Sequence, residues 1–233
     1  MLFYVTFATI IFRKAVIMKS LLLLGDSIRM GYDSFVQEKL AGRMNVYFDD
    51  DNARFVQYTL RALSIWKGKN SWPDDIDVVH WNNGLWDILH LNANSTGRDG
   101  EDIGETMVHE KVSADIRFDK DPLTPPDIYR YMLGRVLTRI HQLFPKAEVI
   151  FATTTPVIEE WITTAYRSNA EVELYNQIAR EVLIPKGVRI NELGDFSKKY
   201  CSELHRDWVH YNDEGSDKLA SEIVDFLEEE NLI

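Results

Sequence analysis

From Met18 onward, short continuous apolar runs alternate with stretches in which apolar side chains return every three or four residues. Leu21-Leu22-Leu23-Leu24 is such a run. It is cut off by Gly25-Asp26 and predicts a strand buried on both faces that feeds a turn. Ile28, Tyr32, Phe35, Val36 and Leu40 then recur at helical spacing. Residues 45–48 predict a second strand, and Ala53 to Trp66 a second helix with Phe55, Thr59, Leu63 and Trp66 on one face. Ile76 to Trp81 predicts a third strand. Residues 88–123 are polar, charged and aperiodic, as in a long insertion or lid.

The second half repeats the alternation. Thr124-Pro125-Pro126-Asp127 predicts a helix start, with Thr124 as cap, Pro125 in the first turn and Asp127 at the positive end of the dipole. Ile128, Met132, Val136, Ile140 and Phe144 would face inward, and Pro145 ends the helix. Ala147 to Ala152 predicts a fourth strand, residues 169–183 a helix and Val188 to Ile190 a short strand. Glu214 to Leu227 predicts the closing helix, with Leu219, Ile223 and Phe226 or Leu227 inward. Strand–helix alternation of this kind predicts an α/β fold with a central parallel sheet and helices on both faces.

Composition narrows the class. A chain of 233 residues, 45% apolar and 27% charged, can bury the core of one ordinary domain. A net charge of -11 repels phosphate backbones and anionic lipid, so nucleic acid and membrane surfaces are poor partners and neutral small molecules are easier to reconcile. Cys201 is the single cysteine, which excludes an internal disulfide and a cysteine-based zinc site. A small buried or half-buried role suits it better than a reactive thiol. His90 and His109 have no convergent partners at metal-ligand spacing, and we expect neither metal nor cofactor.

The first twelve residues, MLFYVTFATIIF, are apolar and are followed by Arg13 and Lys14. The run falls short of the roughly 20 residues a spanning helix needs. Its positive charge follows the apolar core, whereas a signal peptide carries it before. We expect residues 1–17 to be an upstream extension of a domain covering 18–233, without stable membrane insertion and cytoplasmic. A short membrane-associating or helical segment is the competing reading.

Open parallel sheets bind ligands beyond the carboxyl ends of their strands. Ser27 lies there, after the first strand and at the start of the first helix, where helix N–H groups could stabilise an oxyanion. Gly25-Asp26-Ser27 alone carries little, since average usage gives it in roughly one chain in twenty of this length. Asp207-Trp208-Val209-His210, just before the last helix, changes the odds. Serine needs a base to take its proton, and the base needs a carboxylate to fix its tautomer. Taken singly, Ser27 could be only a helix cap and His210 only a surface histidine. The chain lacks G-x-G-x-x-G, the P-loop and the G-x-S-x-G elbow, so dinucleotide, nucleotide and α/β-hydrolase readings have no signature.

Gly25-Asp26-Ser27 after the first strand, with Asp207-x-x-His210 before the last helix, resembles the SGNH/GDSL hydrolase superfamily over nearly all of Met18 to Ile233. Ala152-Thr153-Thr154-Thr155-Pro156-Val157, Arg167-Ser168-Asn169, Tyr175-Asn176 and Ala179 resemble its acetylesterase-like members. The resemblance implies a three-layer α/β/α sandwich of flavodoxin-like strand order, no metal, and ester hydrolysis through an acyl-enzyme on Ser27 with Asp207 and His210. It also implies an oxyanion hole of three donors: the Ser27 N–H, a backbone N–H after the second strand, and an asparagine after the third. Ala53 stands where glycine is usual for the second donor, with Asn52 as fallback. The usual Gly-x-Asn-Asp overlays Gly84-Leu85-Trp86-Asp87 and puts Trp86 in the asparagine slot. An Asn-x-Gly-Leu version within the superfamily makes Asn82 the donor, with Asn83 as fallback.

Asp26, Arg54, Gly84, Trp86 and Trp208 complete the expected substrate-binding set, although Arg54 fits a loop-holding role better. Trp81, Trp86, Trp161 and Trp208 near the crevice could serve as sugar platforms or simply as core. The resemblance implies small acyl groups on carbohydrate as substrate, acetyl first. A lipid-type ester or thioester, an acyltransferase, and a non-catalytic carbohydrate-binding protein on the same fold are the alternatives.

Overall fold

Leu21 to Leu24 are at most 2% exposed, which places β1 (Lys19–Leu24) at the centre of the molecule. Burying a leucine contributes roughly 1.5–3 kcal/mol, so this tetrad anchors the core. The computed structural model describes residues 18–91, 120–161, 166–200 and 202–233. Residues 1–17, most of the 88–123 insertion with His109, and Cys201 lie outside the described residues.

β1 is flanked by β2 (Met44–Tyr47) and β3 (Val78–Trp81), and the sheet continues through β4 (Glu148–Ala152) to β5 (Arg189–Asn191). Every pairing is parallel and the order is β2-β1-β3-β4-β5. The order reverses at β1, and its two neighbours continue into opposite halves of the sheet, opening a crevice beyond the end of β1. α1 (Ser27–Lys39) packs on α6 (Asp213–Glu229) to form one helical layer. α2 (Val56–Asn70), α3 (Pro126–Leu143) and α4 (Asn169–Leu183) pack in sequence to form the other. A short α5 (Leu193–Ser197), which has too few residues to show a helical period, follows β5. No helix among the described residues is long and apolar enough to cross a membrane.

Three local expectations are corrected. Ala53, Arg54 and Phe55 precede α2, and Arg54 has φ 48°, outside the helical region. Thr124 does not cap α3: Pro125 is the cap residue and the buried Thr124 hydroxyl donates to Gln57 Oε1 at 3.2 Å. The inner face of α3 is Tyr129, Leu133, Val136, Leu137 and Ile140, while Ile128 is 46% exposed. Tyr129 turns inward because its buried hydroxyl donates to Asn83 O at 2.8 Å, a polar anchor that apolar spacing cannot report.

Candidate active site

Asp26 caps α1. Its Oδ1 accepts the Ile28 N–H at 3.0 Å, so Ser27 is the first helical residue rather than the cap and its hydroxyl is left for other partners. Ser27 Oγ lies 2.8 Å from His210 Nε2. His210 Nδ1 lies 2.8 Å from Asp207 Oδ2. Asp207 Oδ1 accepts the backbone N–H of Val209 at 2.8 Å and of His210 at 2.7 Å. Burial would raise the Asp207 carboxyl, but the His210 ring and these two backbone donors outweigh it and hold it well below the usual carboxylate range. An ionised Asp207 fixes the imidazole proton on Nδ1 and leaves the Nε2 lone pair facing Ser27 Oγ. The loop bearing this pair is held between an isolated bridge, His205 to Tyr211, and the capped start of α6, where Asn212 Oδ1 accepts the Gly215 N–H at 2.9 Å.

The expected oxyanion donors fare differently. As the first residue of α1, Ser27 has no acceptor for its N–H within the helix, and the dipole there favours negative charge. Asn82 is brought beside it: Nδ2 donates to Asp26 Oδ1 over a long 3.4 Å, and one amide hydrogen is left over. Ala53 is not available, because its N–H donates to Gly25 O at 3.0 Å and ties the loop after β2 to the end of β1. Asn52 closes a local turn, accepting the Arg54 N–H at 2.9 Å. Asn83 is fully buried between two partners: Oδ1 accepts Trp81 Nε1 at 2.7 Å and Nδ2 donates to Arg54 O at 2.9 Å. The geometry therefore assembles Ser27 and Asn82 and turns Ala53, Asn52 and Asn83 to holding the loops.

Of the expected substrate contacts, Asp26 is 0% exposed. Burial raises its carboxyl, against the Ile28 and Asn82 hydrogen bonds and the charges of His210 and Arg167. It organises the serine turn from beneath and cannot meet a substrate. Arg54 stacks over Tyr58, 5.1 Å from the ring centroid, and belongs to the loop. Gly84, at φ 144°, takes a conformation open to glycine, and a β-carbon there would come within 2.3 Å of Thr154 Oγ1. Trp81 is core, edge-on to Phe151, and Trp161 is 42% exposed on a short 3-10 turn. Trp86 and Trp208 remain half-buried at the crevice with Arg167 between them, a residue that sequence reading noted only as part of a resemblance. On the other side of Ser27 and His210 opens a pocket of about 330 Å³, lined also by Ser34, Phe35, Arg206 and Asp213.

A five-stranded parallel sheet in this order between two helical layers, with the serine turn at the end of its first strand, is the SGNH/GDSL hydrolase fold. No protein-family model matches the chain, and no curated protein does. Among solved structures, the chain is similar to a lipase/acylhydrolase from Enterococcus faecalis, with TM-score 0.63 and 16% identity over 91% of this chain and 97% of that one. It is similar to the acetyl xylan esterase AlAXEase, with TM-score 0.61 and 17% identity over 89% and 99% of the two chains. It is also similar to a carbohydrate esterase family 3 protein from Talaromyces cellulolyticus, with TM-score 0.55 and 16% identity over 91% and 97%.

Proposed function

We propose that this chain is a serine esterase that removes small acyl groups, acetyl first, from a polar, sugar-like alcohol through an acyl-enzyme on Ser27. One observation carries the reading: an unbroken hydrogen-bonded chain from Asp207 through His210 to Ser27, in which each member is held by its neighbour. Residues 183 positions apart meet in the order that nucleophilic catalysis needs.

His210 Nε2 takes the Ser27 proton as Oγ attacks the ester carbonyl carbon. The carbonyl oxygen becomes an oxyanion held by the Ser27 N–H and the Asn82 amide. The intermediate collapses by breaking the bond to the alcohol oxygen, which receives the proton from His210. Water then enters, gives a proton to His210, attacks the acyl carbon and releases the acid, and the proton returns to Ser27. Asp207 stays ionised throughout and stabilises the imidazolium.

The substrate class is supported by the pocket beside Ser27, whose Ser34, Arg206 and Asp213 suit a hydroxylated group better than a long alkyl chain. Two of the similar structures are described as acetyl xylan and carbohydrate esterases.

Labelling with a fluorophosphonate tests the nucleophile. One phosphonyl group is expected on the peptide that contains Ser27, with labelling much slowed in His210→Ala. Absence of labelling, or labelling on another serine, would overturn the assignment.

A further inference from the structure

Arg167 is 6% exposed, yet it makes no ion pair among the described residues. Its hydrogen bond there runs from Nε to Leu85 O at 2.5 Å. The contrast is Arg29, 2% exposed, whose guanidinium is taken up by Asp33 Oδ2 and Asp51 O, each at 2.7 Å. A buried charge without a partner is costly, and structures tolerate it mainly where function requires it. Burial does push the Arg167 guanidinium down, to about 10, which still leaves it charged at neutral pH.

The surroundings place this charge on the wall of the catalytic crevice. The guanidinium carbon lies 5.1 Å from the ring centroid of Trp208, inside the loop that carries Asp207 and His210. It lies 5.9 Å from that of Trp86, on the segment that follows Asn82. Its charge reaches the Asp26 carboxyl, next in sequence to Ser27. The two act on each other only across a distance, since no salt bridge joins Arg167 to Asp26 among the described residues. The two half-buried indoles flank the planar guanidinium, and its Nη groups have no hydrogen-bond partner among the described residues, which leaves them available to a ligand.

We propose that Arg167 is a specificity-determining residue that pairs with a carboxylate on the alcohol portion of the ester, so that the preferred substrate is an acylated, carboxylate-bearing alcohol. This deepens the esterase reading and rests on it. The carboxylate belongs on the alcohol because an acetyl group has no room for one. Guanidinium and carboxylate match as a planar, two-pronged pair, and the low exposure of Arg167 strengthens the pairing. In a chain of net charge -11, a general attraction for anions cannot produce the same preference.

The experiment compares 4-acetoxybenzoate with the neutral 4-acetoxybenzamide, each rate divided by its alkaline hydrolysis rate. The kcat/KM ratio of the two is expected to favour the benzoate by about tenfold to a hundredfold in the unaltered protein. It is expected to fall to one or below in Arg167→Gln, with part retained in Arg167→Lys. A ratio at or below one in the unaltered protein, which needs no variant to fold, overturns the inference. So does an unchanged ratio in Arg167→Gln, and so does an equal loss on both esters, the mark of an oxyanion or purely structural role. Binding of both esters to Ser27→Ala separates the two claims. Tighter binding of the benzoate that disappears on adding Arg167→Gln sustains the carboxylate site even where Ser27-dependent turnover is absent. Turnover that depends on Ser27 with no preference for the benzoate sinks the site alone.

Discussion

The side chain of Asn82 occupies the space that a β-carbon on Gly25 would need. An ideal β-carbon at Gly25 would lie 1.7 Å from Asn82 Oδ1 and 2.7 Å from Arg29 Cβ. The glycine of the serine turn is thus a spatial requirement set by a residue 57 positions away, whose amide packs against that turn.

Gly25→Ala is therefore expected to displace Asn82 and to lower stability by about 1–3 kcal/mol, the usual cost of overpacking. Turnover should fall more than the melting temperature alone explains, since the proposed oxyanion donor moves with Asn82. Thermal melts and kcat on p-nitrophenyl acetate check both.

Asn82 and Asn83 are neighbours with different roles. Asn82→Ala should lower kcat about 10²–10³-fold with little change in KM or melting temperature, as for the loss of one oxyanion donor. Asn83→Ala orphans the Trp81 indole N–H, 2.7 Å from its present acceptor, and should destabilise by about 1–3 kcal/mol. Full turnover in Asn82→Ala with a hundredfold loss in Asn83→Ala would reverse the assignment.

Asp207→Asn keeps the shape of the loop but presents an uncharged side chain to His210 Nδ1. The imidazole loses its tautomer control and its counter-charge, and kcat is expected to fall about 10³–10⁴-fold with KM nearly unchanged. Steady-state kinetics beside circular dichroism distinguishes this from unfolding.

Asp87 predicts a pH-dependent stability. Burial pushes its carboxyl from 3.8 up to about 7, against the Val56 N–H that it accepts at 3.1 Å. The folded state therefore holds a proton that the unfolded chain releases earlier. The penalty for ionising Asp87 is absent below about pH 4, grows as pH rises, and is complete above about 7. Asp87→Asn should raise the melting temperature at pH 8 by several degrees, and the gain should shrink towards pH 4. A gain equal at both pH values would contradict this reading.

Much of the fold is legible because its strands are nearly continuous apolar runs and its helices show a clear period. The helix at 169–183 is read at the bounds observed for α4, since Ser168 caps it through the Glu171 N–H and the pattern is unbroken. The start and face of α3 are not, because Thr124 and Tyr129 are placed by partners far along the chain, Gln57 and Asn83. The site divides the same way. Ser27, Asp207 and His210 announce themselves by chemistry and position, and the structure brings them within hydrogen-bond distance. Ala53 is a donor candidate by family resemblance alone, and only the fold shows its N–H turned to Gly25 O. Arg167 has no sequence signal of its own. Its neighbours Leu85, Trp86 and Trp208 are 82, 81 and 41 residues away, and only the fold joins them.

Hydrolysis of p-nitrophenyl acetate by the purified protein beside Ser27→Ala, with longer acyl chains in parallel, tests the nucleophile and the acyl preference together. We predict turnover that falls with chain length and drops at least about a thousandfold in Ser27→Ala. Equal rates from the two proteins on every ester would contradict the serine-esterase reading.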